Sequence, residues 1–180
     1  RELNEEYFIH ILQKRPYVTV KIAMSLNGKI SGQKGRYIIG KKSLRKVHQL
    51  RAENDAVLVG SGTVLADNPH LGVRHVNGKD PLRVILDSRF RIPLSSHIFR
   101  DDHVLVFTTD SADLGKIQQA KKSGVDIIVS HKKMPLEQIL RELYRRGVSN
   151  LLVEGGQIIF ISFLKAKLAD RVLFFIAPKV

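Results

Sequence analysis

The sequence predicts an α/β protein with a mostly parallel central sheet flanked by helices. Three observations point there. Short apolar runs such as Ala56-Val57-Leu58-Val59 and Leu151-Leu152-Val153 read as strands buried on both faces. They alternate with longer segments whose apolar residues recur every three or four positions, as helices require. Glycine-containing junctions, Gly60-Ser61-Gly62 and Gly155-Gly156, stand at the ends of two such strands.

Taken in order, residues 2–14 have helical spacing, with Leu3, Tyr7 and Ile11 four apart and Phe8 and Leu12 beside them. Asn4 is placed to cap this helix, acids come next, and Arg15-Pro16 closes it. The spacing predicts a linker helix docked through its apolar face. Residues 17–25 alternate: Val18, Val20, Ile22 and Met24 share one face, and Tyr17, Thr19, Lys21, Ala23 and Ser25 the other. A lysine between small residues suits a face that meets a ligand. Asn27-Gly28 is a turn signal, and a glycine-containing loop comes after it over residues 32–37.

Residues 41–54 read as a helix with Leu44, Val47, Leu50 and Arg51 on one side. Strands are expected over 56–60, 83–87 and 103–109, then helix, strand, helix, strand, helix and strand to residue 178. Pro135 opens one of these helices and Gly147 ends it, as helix-end preferences require.

Composition narrows the function classes. The 180 residues suffice for one domain with a sizeable core, and 43% hydrophobic with 26% charged residues is ordinary for a globular protein. Cysteine is absent, which removes disulfides, thiolate metal sites and cysteine nucleophiles and fits a cytoplasmic protein. No apolar run is long enough to span a membrane. The seven histidines show no metal-ligand spacing, so no metal is expected and most are assigned surface or packing roles. His48 and Arg51, three apart, share a helix face. The net charge of +13 raises nucleic-acid binding as an alternative. Its lysines and arginines are scattered, with no aromatic-basic interleaving and no zinc-finger spacing, so no nucleic-acid partner is expected.

Ligands of open α/β sheets collect beyond the carboxyl ends of strands, and three junctions are candidates. Gly60-Ser61-Gly62-Thr63 is either a tight turn or a phosphate loop in which Thr63 caps or donates. Gly155-Gly156 precedes Gln157 and a helix start, which favours an anion; a plain glycine turn reads equally well. Asp87-Ser88-Arg89 offers an Asp for ribose hydroxyls or a Ser-Arg pair for a 2′-phosphate, against a simple Asx turn. Glu154, directly before the glycine pair, has no role on an anion site.

The blocks "PYVTVKIAMSLNGKI", "VHQLRAENDAVLVGSGTVLADNPHLGVR", "PLRVILDS" and "LLVEGGQIIFISFLKAKLADRVLFFIAPK" resemble the reductase domain of the bifunctional riboflavin-biosynthesis deaminase/reductase family. The resemblance runs from about Pro16 onward, and "GTVLADNP" and "VEGG" in this order are its specific signatures. It implies a dihydrofolate-reductase-like fold and NADPH-dependent reduction of 5-amino-6-(5-phosphoribosylamino)uracil to the ribitylamino product. It implies cofactor contacts at Ala23, Tyr37, Thr63, Asp67, Ser88, Gly155, Gly156, Gln157 and Ile158, and substrate contacts at Arg51, Leu71, Arg74 and Glu154. Arg51 and Arg74 suit a phosphate, since guanidinium binds it bidentately. Lys21 and Glu154 are the candidate proton donors, being ionisable groups at strands beside the expected cleft.

The same resemblance makes residues 1–16 the linker from an absent deaminase domain and residues 17–180 a reductase domain lacking its closing C-terminal strands. It implies the deaminase domain of the parent chain as a partner, and homo-oligomers built from dimers. Where the family often has Ser-x-Trp-Ile-Ser/Thr, this chain has Gly35-Arg36-Tyr37-Ile38-Ile39, which removes a substrate-contacting serine. The alternatives are another dihydrofolate-reductase-fold enzyme acting on a pterin or folate, a basic nucleic-acid-binding protein, and a catalytically silent domain.

Overall fold

The computed structural model describes residues 4–30 and 40–178. Its strands are β1 (Tyr17–Ser25), β2 (Ala56–Gly60), β3 (Leu82–Leu86), β4 (Val104–Thr109), β5 (Asp126–Ser130), β6 (Asn150–Gly155) and β7 (Arg171–Ala177). Its helices are α1 (Glu5–Gln13), α2 (Lys41–Ala52), α3 (Ser61–Asp67), α4 (Leu114–Lys122), α5 (Leu136–Arg145) and α6 (Gln157–Lys165), with a short 3-10 helix at His97–Phe99. The strands form one sheet in the order β5-β4-β3-β2-β6-β1-β7, and every pairing among the described residues is parallel.

Two cores sandwich the sheet, which is why its central strands are apolar on both faces. On one side Val18, Val20, Leu58, Val84, Leu105 and Val153 pack under α5 (Ile139, Leu140, Leu143) and α6 (Ile159, Phe160, Phe163). On the other, Val57, Val59, Ile85, Val106 and Leu152 meet α2 (Leu50), α3 (Val64), α4 (Ile117, Ala120) and the Phe90–Ile98 connection. Alternation along each strand sends successive side chains into different cores. Among the described residues no helix is long and apolar enough to cross a membrane.

Two expectations are corrected. Residues 61–63 are the first turn of α3 rather than a loop, and Gly60 in extended conformation is the N-cap, so Thr63 lies inside the helix. Burial of Val64 against the sheet overrides the poor helix propensity of Ser61-Gly62. The second concerns α1. Asn4 occupies its N-cap but makes no side-chain capping bond, and only Ile9 is buried. Tyr7, Phe8, Ile11 and Leu12 are between 46% and 74% exposed, so the apolar face is not docked; Leu3 lies outside the described residues. The helix is anchored instead at its end. Arg15 binds Asp170 bidentately at 2.6 and 2.7 Å, and Asp170 also accepts the Val18 N–H at 2.8 Å.

Candidate active site

A cleft of about 910 Å³ opens at the carboxyl ends of β1, β2, β3 and β6, bordered by α2, α3 and α6. Its floor is an ion cluster created by sheet register. Val20 pairs with Val153, so the next residues, Lys21 and Glu154, lie side by side on β1 and β6. The Glu154 carboxylate accepts from Lys21 Nζ at 3.3 Å and from Arg51 of α2 at Nε (2.6 Å) and Nη2 (3.0 Å). All three side chains are nearly buried. Burial by itself would raise the Glu154 pKa, but the Lys21 ammonium and the Arg51 guanidinium together outweigh it and lower the value to about 2. Glu154 is therefore a carboxylate at neutral pH.

One wall is the β6–α6 junction. Gly155 has φ +144°, a region that disfavours any side chain. A Cβ at Gly155 or Gly156 would stand 3.3 or 3.2 Å from Thr63 Oγ1, so the glycine pair lets the Thr63 hydroxyl approach the backbone. At Gly60 a Cβ would stand 3.0 Å from Ile159. The first N–H groups of α6 have no partner within the helix and favour an anion.

The opposite wall is residues 70–74 and α2. His48 is buried, with Nδ1 3.1 Å from the Gly72 carbonyl and 3.2 Å from the Arg74 N–H. Burial pushes its pKa down, the charges of Arg51, His75 and Arg74 add to this, and the value is about 4. Beyond β3, Arg91 donates to Ser61 Oγ at 3.1 Å. Among the described residues the lining holds six cationic side chains (Lys21, Arg51, Arg74, Arg89, Arg91, Lys133) against three carboxylates (Asp67, Asp87, Glu154), so the cleft favours anionic ligands. A smaller pocket of about 250 Å³ adjoins it at the ends of β4 and β5, sharing Leu86, Ser88, Lys133 and Ile159. Among its lining residues is Thr108, whose buried Oγ1 has no hydrogen-bond partner among the described residues.

The family model for the RibD C-terminal domain matches residues 16–180. The chain belongs to the RibD C-terminal domain family. The riboflavin biosynthesis protein RibD of Aquifex aeolicus is 40% identical over 183 aligned residues, covering all of this chain and 51% of that protein. The 2,5-diamino-6-ribosylamino-4(3H)-pyrimidinone 5′-phosphate reductase of Archaeoglobus fulgidus is 39% identical, covering 91% of this chain and 81% of that protein. The crystal structure of a diaminohydroxyphosphoribosylaminopyrimidine deaminase/5-amino-6-(5-phosphoribosylamino)uracil reductase from Thermotoga maritima superposes with a TM-score of 0.83 at 36% identity. That match covers 99% of this chain and 50% of the Thermotoga chain. The chain spans about half the length of the first curated RibD relatives it matches, 51% and 49%.

In this RibD-family domain the residues singled out from sequence converge. Lys21, Ala23, Arg51, Thr63, Asp67, Leu71, Arg74, Ser88, Glu154, Gly155, Gly156, Gln157 and Ile158 all line the cleft. Tyr37 lies outside the described residues, as do Gly35 and Arg36. Arg51 departs from the expectation of a fork presented to phosphate. Its Nε and Nη2 hold Glu154 and its Nη1 holds the Gly72 carbonyl at 3.1 Å, because Glu154 is the anion buried beside it. Arg74 lines the cleft from the wall and is better placed to receive a ligand. Sequence reasoning placed His48 on the Arg51 face of its helix without a role in the cleft, and did not single out Arg91 or Lys133 as lining it. For His48 the one available signal was its spacing from Arg51; for the other two no local pattern marks a role.

Proposed function

We propose that this chain is an NADPH-dependent oxidoreductase of riboflavin biosynthesis. It reduces the ribosyl group of 5-amino-6-(5-phosphoribosylamino)uracil to the ribitylamino form. The observation that carries the reading is the Lys21–Glu154–Arg51 cluster on the floor of a cationic cleft. Support comes also from family membership and from the names of the relatives.

The residues present fit a nicotinamide dinucleotide phosphate. Gly155-Gly156 and the start of α6 form a cradle that a Cβ would crowd. Ser61, Ser88, Arg89 and Arg91 offer hydroxyls and charges for a 2′-phosphate, and the side pocket, lined by Leu86, Phe107, Met134, Pro135 and Ile139, suits a purine. Ala23, Thr63, Asp67, Gln157 and Ile158 would line the nicotinamide and diphosphate path. When bound, the cofactor supplies the hydride that C1′ of the opened ribose accepts.

The chain's own residues then have separable roles. Glu154 is held ionised, so it accepts hydrogen bonds from substrate hydroxyl or amine groups and does not give up a proton. Lys21, its neighbour at 3.3 Å, is the proton donor, delivering to the ring oxygen released as the ribose opens. Arg74 takes the substrate phosphate, Leu71 packs against the pyrimidine, and Arg51 contributes charge from behind Glu154. The parent polypeptide would carry a deaminase half and assemble as a homo-oligomer in the cytoplasm.

The test is a turnover assay. The full-length protein is mixed with NADPH and the phosphoribosylaminopyrimidine, as the uracil or its diamino precursor, and loss of reduced-nicotinamide absorbance is monitored. Oxidation with neither substrate refutes the reading.

A further inference from the structure

We infer that His48, with its hydrogen on Nε2, is the positioning residue that sets Arg74 for the substrate phosphate. This rests on the reductase reading above. Leu71–Arg74 carries two cleft residues yet belongs to no helix or strand. It is pinned from outside. The Gly72 carbonyl accepts from Arg51 Nη1 at 3.1 Å, and the Val73 N–H donates to Asp80 Oδ1 at 2.7 Å. Leu71 is held at φ +56°.

His48 Nδ1 lies within reach of both the Gly72 carbonyl and the Arg74 N–H, at 3.1 and 3.2 Å. A neutral imidazole nitrogen donates or accepts, but not both. With hydrogen on Nδ1, the Gly72 carbonyl is served twice and the Arg74 N–H faces another N–H. With hydrogen on Nε2, Arg51 serves the carbonyl and Nδ1 accepts from Arg74, so the Gly72 carbonyl, the Arg74 N–H and Nδ1 are all paired. The ring is neutral at neutral pH, since its pKa is about 4.

The consequence is a mechanical link. One turn of α2 carries His48 and Arg51, three residues apart. Arg51 fixes Glu154 at the floor while His48 fixes the backbone of Arg74 at the wall, so the distance between the reacting end and the phosphate end of the substrate is set by a single rigid helix. His48 is not itself a catalytic residue.

The experiment compares wild type, His48→Phe and His48→Asn in the full-length protein. Phe keeps the ring volume and removes the acceptor; the Asn side-chain oxygen can still accept from Arg74. His48→Phe should raise KM for the phosphorylated pyrimidine about tenfold, with kcat and KM for NADPH within about twofold. With the phosphate-free riboside the two proteins should behave alike. His48→Asn should recover most of the KM. An unchanged KM, a loss confined to kcat, or no recovery in folded His48→Asn overturns the inference. Nitrogen-15 histidine spectra of wild type, which need no variant to fold, should show His48 Nδ1 unprotonated at neutral pH; a protonated Nδ1 also overturns it. Absence of NADPH oxidation in wild type would instead refute the reductase reading, and the spectrum would still judge the tautomer.

Discussion

Replacing Glu154 by Gln removes the carboxylate that pairs with both Lys21 and Arg51 on the cleft floor. The carboxyl titrates at about 2 in the fold against an ordinary 4.5. A difference of that size corresponds to about 3 kcal/mol of folding stability carried by the ionised form. The amide keeps one acceptor but no charge, and two nearly buried cations then face each other across a neutral group, which costs on the same scale. The expected loss at pH 7 is therefore about 3 kcal/mol, or a fall in Tm of about 6–12 °C for a chain of this length. The sign with pH comes from the depressed folded pKa: the contribution is full above about 4.5 and is lost as pH falls through about 2. Urea unfolding of wild type and Glu154→Gln across pH 7 to 3 reads this directly. The gap should be widest at neutral pH and narrow steadily below about 4.5. A gap under about 1 kcal/mol at pH 7, or one that stays constant down to pH 3, refutes the view that the cluster is a charge-stabilised unit.

Three further outcomes are expected. Lys21→Met should lower kcat by about a hundredfold or more while leaving the NADPH Kd within about threefold, since proton delivery is lost and not cofactor contact; equilibrium binding beside steady-state kinetics decides it. Gly155→Ala places a side chain at φ +144° and 3.3 Å from Thr63 Oγ1, so it should destabilise the fold by about 1–3 kcal/mol and weaken NADPH binding. Denaturant melts and a cofactor titration check both effects. Asp170→Ala removes the acceptor of Arg15 and of the Val18 N–H at the base of β1, and should cost about 3 kcal/mol in the same melts without changing KM for either ligand.

Much of this molecule is set by local sequence. Runs such as Ala56–Gly60 are apolar throughout because parallel strands under two layers have no solvent face. The strand–glycine–helix junctions are legible because an extended strand entering a helix needs a residue free of side-chain clashes. The motif blocks also located the cleft residues in the chain. Local pattern misjudged two elements. Ser61-Gly62-Thr63 has weak helix propensity and becomes helical only because Val64 has a core to enter. The apolar stripe of α1 predicted docking, yet stripe and contact are separate facts, and only Ile9 is covered.

What tertiary structure alone decided is the chemistry of the charges. Lys21 and Arg51 stand 133 and 103 residues from Glu154, and no spacing rule relates them. Sequence left Lys21 and Glu154 as equal candidates for the proton donor, and assigned Arg51 to a phosphate. The parallel register of β1 on β6 puts the lysine against the carboxylate, and the docking of α2 brings the guanidinium onto its other side. An ionisable group has a definite protonation state only once its neighbours and its burial are known. The sequence by itself determined which residues would gather at the strand ends; the fold determined that the Glu154 carboxylate is held ionised between two cations.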